Sequence, residues 1–567
     1  MNNDRQNFVL FAVIAALILF GWPLLQDRFF PSANPPVTKI EDGKTQVVPN
    51  RAADPTADGP AAIRDRAAVL RETPRVLIAT PRLRGSINLR GARIDDLVLL
   101  DYKETIAKDA APIRLLSPAG APDAYFAGFG WRDDGLAPPG AKAVWTASAP
   151  VLRPGTPVRL DATNARGLRF RIELAVDKDY MFSVRQSVLN TGLAPVRVAT
   201  YGYVNRTGVS KDPSSTTIHV GPMSVDNGSA NYRPDFKELA EAPVKFASTG
   251  GWLGFTDKYW LTALIPDQRA RFDGQFRAGA NNAFQGDYTR SAQMLAPGAT
   301  VTQASRFFAG GKEVRLLDRY TDQGLAEKLD YAIDWGWFRL VEKPIFYYLH
   351  WLFAHVGNFG GAIILLTLTI RLLLFPIAQR QFASMASMRA IQPKMKALQD
   401  RYKDDKPRMQ QEIMALYKAE KVNPLAGCLP TLLQIPIFYA LYKVLMLTLE
   451  MRHQPFVAWI RDLSAPDPLT PVNLFGLLDF VPPTWIGIGI VPILLGISMY
   501  FQFKLNPAPM DDTQKQVFAF LPWVLMFVMA PFAVGLQIYW ITTNCVTILQ
   551  QRMLYARHPA LKEAVPK

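Results

Sequence analysis

The stretch "AIILLTLTIRLLLFPIA", residues 362–378, decides the fold. It is apolar enough to lie in lipid, yet Arg371 stands inside it with no acid in the same segment. A cation held in hydrocarbon costs roughly 3 kcal/mol on insertion scales and on the order of 10 kcal/mol for an isolated helix. At a rise of 1.5 Å per residue, Arg371 is about 10 Å from the end of the segment at Ala378. One reading is an arginine that snorkels to the interface. The other looks at the remaining apolar segments, which carry Gln434, Ser498, Gln502, Gln537, Thr542, Thr543 and Asn544. Thr367 lies one turn before Arg371 on the same helical face. None of these is an acid. Together they describe a water-lined cavity between helices with one uncompensated positive charge, the setting in which polar groups are tolerated at membrane depth.

Working outward, a bilayer crossing needs about 20 apolar residues. Phe8–Leu25 meets this, and "QDRFF" follows it in place of a small-residue cleavage pattern. It therefore reads as an uncleaved anchor, with a signal peptide as the alternative. Further spans are expected at Gly360–Ala378, Gly427–Leu449 and Trp485–Phe503. The run from Val517 to Gln550 is too long for one crossing, and "MAPFAVG" splits it into two, giving six spans. Segment 379–422 holds ten Lys/Arg against five acids, the loop 450–480 two against four, and the tail 551–567 four against one. Basic loops stay cytoplasmic. The 379–422 segment and both termini are then cytoplasmic, and the 450–480 loop lies outside.

The whole chain has 567 residues, 49% of them hydrophobic, and a net charge of +15, which suits a membrane surface or nucleic acid. Its two cysteines, Cys428 and Cys545, lie in apolar runs and say nothing of compartment. Residues 26–60 are rich in Pro, Ala and Asp and read as a flexible linker. Residues 61–334 fall outside the membrane and carry short alternating runs such as "GLRFRIELAV", "MFSVRQSVLN" and "VTQASRFFAG", the pattern of a large all-β sandwich. No HExxH, CxxC, P-loop or GxSxG motif occurs there. The domain's single histidine, His219, reads as a solvated or hydrogen-bonded surface residue, and neither cofactor, metal nor catalysis is assigned. Residues 335–358 are aromatic and amphipathic. They read as a helix lying in the interface plane, anchored by Trp335, Trp337, Tyr347, Tyr348 and Trp351, or alternatively as a lid on the β domain.

Between the second and third spans, residues 379–426 form an expected cytoplasmic hairpin of two helices. Met388, Ile391, Met395, Leu398 and Tyr402 recur at helical spacing, and Met409, Ile413 and Leu416 follow the turn "KDDKP". With Met385 and Met414 the hairpin offers methionines, whose flexible thioethers suit varied partners. An ordinary coiled-coil seam is the plainer alternative.

Five strings then carry a resemblance: "LDYAIDWGWFRLVEKPIFYYLHWLFAHVGNFG" (329–360), "IRLLLFP" (370–376), "SMASMRAIQPKMKAL" (384–398), "MALYKAEKVNPLAGCLPTLLQIPIFYALY" (414–442) and "LQIYWITTNCVTILQQ" (536–551). They resemble the YidC membrane protein insertases of Gram-negative bacteria, as does "GGWLGFTDKYWLTALIP" (250–266) in the β domain. The resemblance implies a polytopic α-helical membrane protein with a five-helix core from spans two to six. It also implies a groove open to cytoplasm and lipid, and a periplasmic domain with a galactose-mutarotase-like sandwich. The family's groove arginine falls on Arg371 and its substrate-contacting positions on Thr367, Tyr539 and Trp540. Trp540 stands where the family often has a second tyrosine.

The expected function is insertion and chaperoning of nascent membrane proteins at the bacterial inner membrane. The expected partners are the Sec translocon, the phospholipid bilayer, and the ribosome and targeting factors that meet the hairpin. Two other classes remain open from the residues alone. One is a secondary transporter using Arg371 for an anionic solute, against which no inverted repeat is visible. The other is an envelope enzyme anchored by its helices, although an anchor needs one span and not six.

Overall fold

A computed structural model describes residues 38–41, 44–47, 63–132, 136–210, 218–379, 391–402, 405–420, 429–478, 480, 487–505 and 512–557. The first expected span, most of the expected linker, Met385 and Met388 lie outside these residues. Within the stretch read as linker, Thr38–Glu41 and Lys44–Val47 pair as two antiparallel strands. Chain contacts divide the protein into two units, Pro31–Asp334 with Leu447–Leu449, and Met1–Phe30, Trp335–Met446 and Glu450–Lys567.

The first unit is a sandwich of two large sheets. Among the described residues one sheet has nine strands, running from Ser229–Asn231 at one edge to Thr146–Ala147 at the other. The second has eleven, and its central strand Val196–Thr207 pairs with both Tyr125–Arg132 and Ala283–Arg290. Side chains alternate across a strand, and Leu168–Val176 follows this: Phe170, Ile172, Leu174 and Val176 are buried while Arg169 and Arg171 face outward. The inner faces meet through aromatic rings. Phe129 meets Phe307 at 6.3 Å and Trp131 meets Phe170 at 5.1 Å. The hydrogen bond between Tyr125 and Thr262, 2.6 Å long, joins the two sheets inside the core.

At the end of the sandwich a charged cluster fastens the helix Val314–Asp322. Its leading residue Glu313 accepts from Arg82, from Tyr102 (2.7 Å) and from Tyr180 (3.2 Å), while Arg82 also bonds Asp101 and Asp179. Arg319 of the helix bonds Asp179, and Tyr320 bonds Asp177 at 2.5 Å. Burial, then the Glu313 charge, pushes the Tyr180 hydroxyl far above its ordinary value, so it remains a donor. His219 is a hydrogen-bonded structural residue, 2.8 Å from the Pro222 carbonyl and edge-on to Tyr232.

The second unit is helical. We label its helices α1 (Arg339–Val356), α2 (Phe359–Leu373), α3 (Gln392–Arg401), α4 (Lys406–Ala419), α5 (Leu429–Leu447), α6 (Ile490–Lys504), α7 (Asp512–Met529) and α8 (Val534–Arg557). Asn358 starts α2 by accepting from the Gly361 amide at 2.9 Å, which satisfies one of the orphan donors of a helix start. Gly360 is held to glycine by close approach, since a Cβ there would sit 2.0 Å from the Phe456 ring. Helix α8 packs on α2 and α6, α6 on α7, and α1 on α2. The break between α7 and α8 lies at residues 530–533, within "MAPFAVG".

Helices α5 and α6 are shorter than the spans expected from hydropathy, whereas α7 and α8 together extend beyond theirs. Among the described residues no helix is long and apolar enough to cross a membrane. Helix α2 runs 15 residues to Leu373, and after one turn residue at Leu374 the backbone is helical again over 375–379, where Pro376 contributes no N–H. Helix α6 also has 15 residues, and the 24 residues of α8 include a run of polar side chains. The six spans thus stay an expectation.

Two outcomes follow for the β unit. Glu313→Ala leaves Arg82 and two tyrosines without their shared acceptor, and should lower stability by about 2 kcal/mol, read as a drop in the melting temperature of the full protein. Burial holds His219 below its ordinary value of 6.5, so the unfolded chain takes up the proton first. Its contribution to stability is present above about pH 6.5 and is lost as pH falls below that value. His219→Gln should therefore flatten the fall in melting temperature on the acid side, and an unchanged slope would exclude this histidine as a cause.

Candidate functional site

The site is built on α2, α5, α6 and α8. Thr367 and Arg371 are one turn apart on α2. Thr367 is fully buried, and its hydroxyl donates back to the Ile363 carbonyl at 2.7 Å, leaving its methyl group for packing. Arg371 is partly buried near the end of α2, close enough to Tyr539 of α8 to interact electrostatically. Among the described residues no carboxylate forms an ion pair with Arg371. Tyr539 is itself buried and accepts a hydrogen bond from the Gln434 amide of α5. Next to it on α8, Trp540 meets Phe438 edge-on at 5.1 Å. Arg371, Tyr539 and Gln434 thus form one polar group drawn from three helices.

A second pair lies further along α8. Asn544 is buried and donates to Ser498 of α6 at 2.8 Å, and Ser498 donates to the Leu495 carbonyl. Gln502, one turn beyond Ser498, is partly buried. Thr543 is buried, with its hydroxyl beside Tyr539 on the same helix. Gln537 serves a different purpose. Its amide donates to the carbonyls of Met529 and Phe532, both at 2.9 Å, so it braces the break between α7 and α8. Thr542 bonds back to Ile538 within its own helix.

In the hairpin, Met395 of α3 accepts from the Tyr417 hydroxyl of α4 at 3.3 Å, and Lys394 pairs with Glu420 at 2.6 Å. Met409 is partly buried, whereas Met414 is exposed. The methionines are therefore divided between the seam of the hairpin and its surface.

Hydropathy passed over several polar groups here. Lys443 of α5 and Glu342 of α1 are buried charges, and neither is without a partner. Lys443 stands among apolar residues in the sequence, which is the signal that would have singled it out. Gln551 near the end of α8 is also buried, with one amide oxygen unpartnered among the described residues.

Comparison with known proteins falls on the same two units. Residues 75–348 match the family model "YidC periplasmic domain", and residues 351–561 match "60Kd inner membrane protein". A protein from Zymomonas mobilis named "Membrane protein insertase YidC" is 48% identical, with 99% of this chain and 97% of that protein covered. A protein of the same name from Beijerinckia indica is 42% identical over 98% of this chain and 96% of its own length. A solved structure titled "Active YidC insertase crystal structure with the first transmembrane domain resolved" is similar with 18% identity and a TM-score of 0.35, covering 84% of this chain and 92% of that one. Matched along nearly its whole length at such identity, this chain belongs to the YidC family.

Proposed function

We propose that this protein is a membrane protein insertase of the bacterial inner membrane. Its relatives bear that name. The observation that carries the mechanism is Arg371, which contacts Tyr539 electrostatically and has no carboxylate partner among the described residues. A cation placed among neutral polar groups attracts an anion from outside the protein, and the acidic outer segment of an incoming membrane protein is such an anion. In this reading Thr367, Gln434, Ser498, Gln502, Tyr539, Trp540, Thr543 and Asn544 line a hydrophilic groove. It shortens the apolar path for the polar segment.

The client meets the cytoplasmic hairpin first, on its methionines. Its polar segment enters the groove, and its apolar segment slides into lipid. Burial of the new span drives the step at about 25 cal/mol per Å² of apolar area, and the membrane potential acts on the negative charge. No nucleotide is required. The same groove holds clients while they fold, alone or beside the Sec translocon. Both termini are cytoplasmic and the β unit is periplasmic, as the Lys/Arg distribution supports.

The test is insertion into vesicles by the reconstituted protein. Arg371→Ala should reduce insertion of clients with acidic outer segments by about tenfold, equivalent to about 1.4 kcal/mol, and leave neutral ones nearly unaffected. Arg371→Lys should restore most of it, because charge matters here more than guanidinium geometry. Wild-type insertion of every client by a neutral variant would overturn the electrostatic role.

The hairpin is expected to swing as a unit. On one side the helical path has a turn residue at Leu374 and loses a hydrogen bond at Pro376, and on the other stands Pro424, outside the described residues. Locking α3 to the core with an engineered crosslink should abolish insertion while the helices stay folded, whereas Lys394→Glu alone should change little. Full activity of the locked protein would rule out a required swing.

A further inference from the structure

The connection between α5 and α6 has inverted polarity. In Pro471–Phe480, the side chains of Val472, Leu474, Phe475, Leu477, Leu478 and Phe480 are all exposed, Leu477 to 83%. The polar side chains beside them, Asp467, Thr470 and Asn473, are buried. A loop facing water has the opposite arrangement. Hydrogen bonds fix this inside-out form. Thr470 donates to the Asn473 side chain at 3.0 Å, and the Phe475 and Leu478 amides donate to the carbonyls of Thr470 and Asn473. Leu474 and Phe475 both adopt positive φ, 50° and 59°, a strained choice for bulky side chains. Strain of this kind persists only where surrounding bonds over-determine it.

The segment is also tied to α6. Asp467 accepts from the Val491 amide at 2.8 Å and from the Trp459 indole at 3.1 Å, and the Ile490 amide donates to Leu469. The exposed apolar side chains therefore adjoin a helix that exposes Leu494, Ile497 and Phe501. With 15 residues, α6 extends about 22 Å, short of the roughly 30 Å hydrocarbon thickness. The shortfall of about 8 Å matches the roughly 5–10 Å to which interfacial segments sink their apolar faces. The ten residues contain no Lys or Arg, so attraction to anionic headgroups has no part in it.

Resting on the membrane reading above, we propose that Val472, Leu474, Phe475, Leu477, Leu478 and Phe480 form an interfacial anchor whose side chains enter the acyl boundary of the outer leaflet and set the depth of α6. The amides of Phe475, Leu477, Leu478 and Phe480 are bonded to carbonyls of the same segment, which favours entry into lipid.

The test uses the full chain with Cys428→Ser and Cys545→Ser, reconstituted in phosphatidylcholine vesicles with and without phosphatidylglycerol. A polarity-sensitive fluorophore is attached at Leu477→Cys or, as reference, at Ile497→Cys on α6. Both positions are exposed, so neither change removes a core contact. Lipids with a quencher on the acyl chain should dim both probes at least about twofold, and aqueous iodide should leave both nearly unchanged, with or without the anionic lipid. Lipid quenching at 497 with iodide quenching at 477 would place the loop in water and overturn the anchor while the membrane reading stands. Protection of 477 from both quenchers would mean a protein cover, another part of the chain or a second copy, and would also overturn it. Iodide quenching at 497 would remove the membrane reading and the anchor together.

Discussion

The cost of holding Arg371 away from bulk water governs the helical unit. A guanidinium cannot shed its proton at any relevant pH, so the charge must be met by dipoles, water or an incoming anion. Tyr539 supplies a dipole from α8 and is itself held by Gln434 of α5. That requirement fixes the mutual placement of α2, α5 and α8 near Arg371. The Ser498–Asn544 pair makes a parallel demand on α6 and α8. Polar contacts thus specify which helices neighbour one another, in a setting where apolar packing alone discriminates poorly.

The β unit solves a different problem by similar means. Two broad sheets bury enough aromatic and aliphatic surface to fold, but apolar faces do not decide where a trailing helix should lie. The Arg82–Glu313 cluster does so, with four acids and three tyrosines arranged about two arginines. Such a network is directional, and its members are costly to leave unpaired.

Much of this was legible in the sequence. Strict alternation in "GLRFRIELAV" gave a strand because a half-buried strand admits only one side-chain period. The cation inside "IRLLLFP" marked the site, since charge is rare in an apolar helix without a reason. The break in "MAPFAVG" was visible as a proline among small residues. What could not be read was which polar groups would meet. Gln537 looked like a lining residue and braces a helix break instead, while Lys443 was lost in an apolar run. Hydropathy continues smoothly through Leu374 to Ala378, and the backbone follows it, with one turn residue at Leu374 before helical bonds resume. The inside-out loop escaped notice because its sequence, "PVNLFGLLDF", looks like ordinary core until exposure shows which side its leucines face.

Gln537 has a consequence for how the two halves of the α7–α8 pair communicate. By bonding two carbonyls across the break, it sets the angle at which α8 begins. Tyr539 stands two residues further on, so its bearing toward Arg371 is measured from that brace and not from distant parts of the chain. One residue added between Phe532 and Gln537 would turn everything beyond by about 100°, carrying the tyrosine off its bearing. The length of this short connector is in that sense a phase constant. Sequence change can be absorbed on either side of it, but a change in its length shifts every later side chain in step.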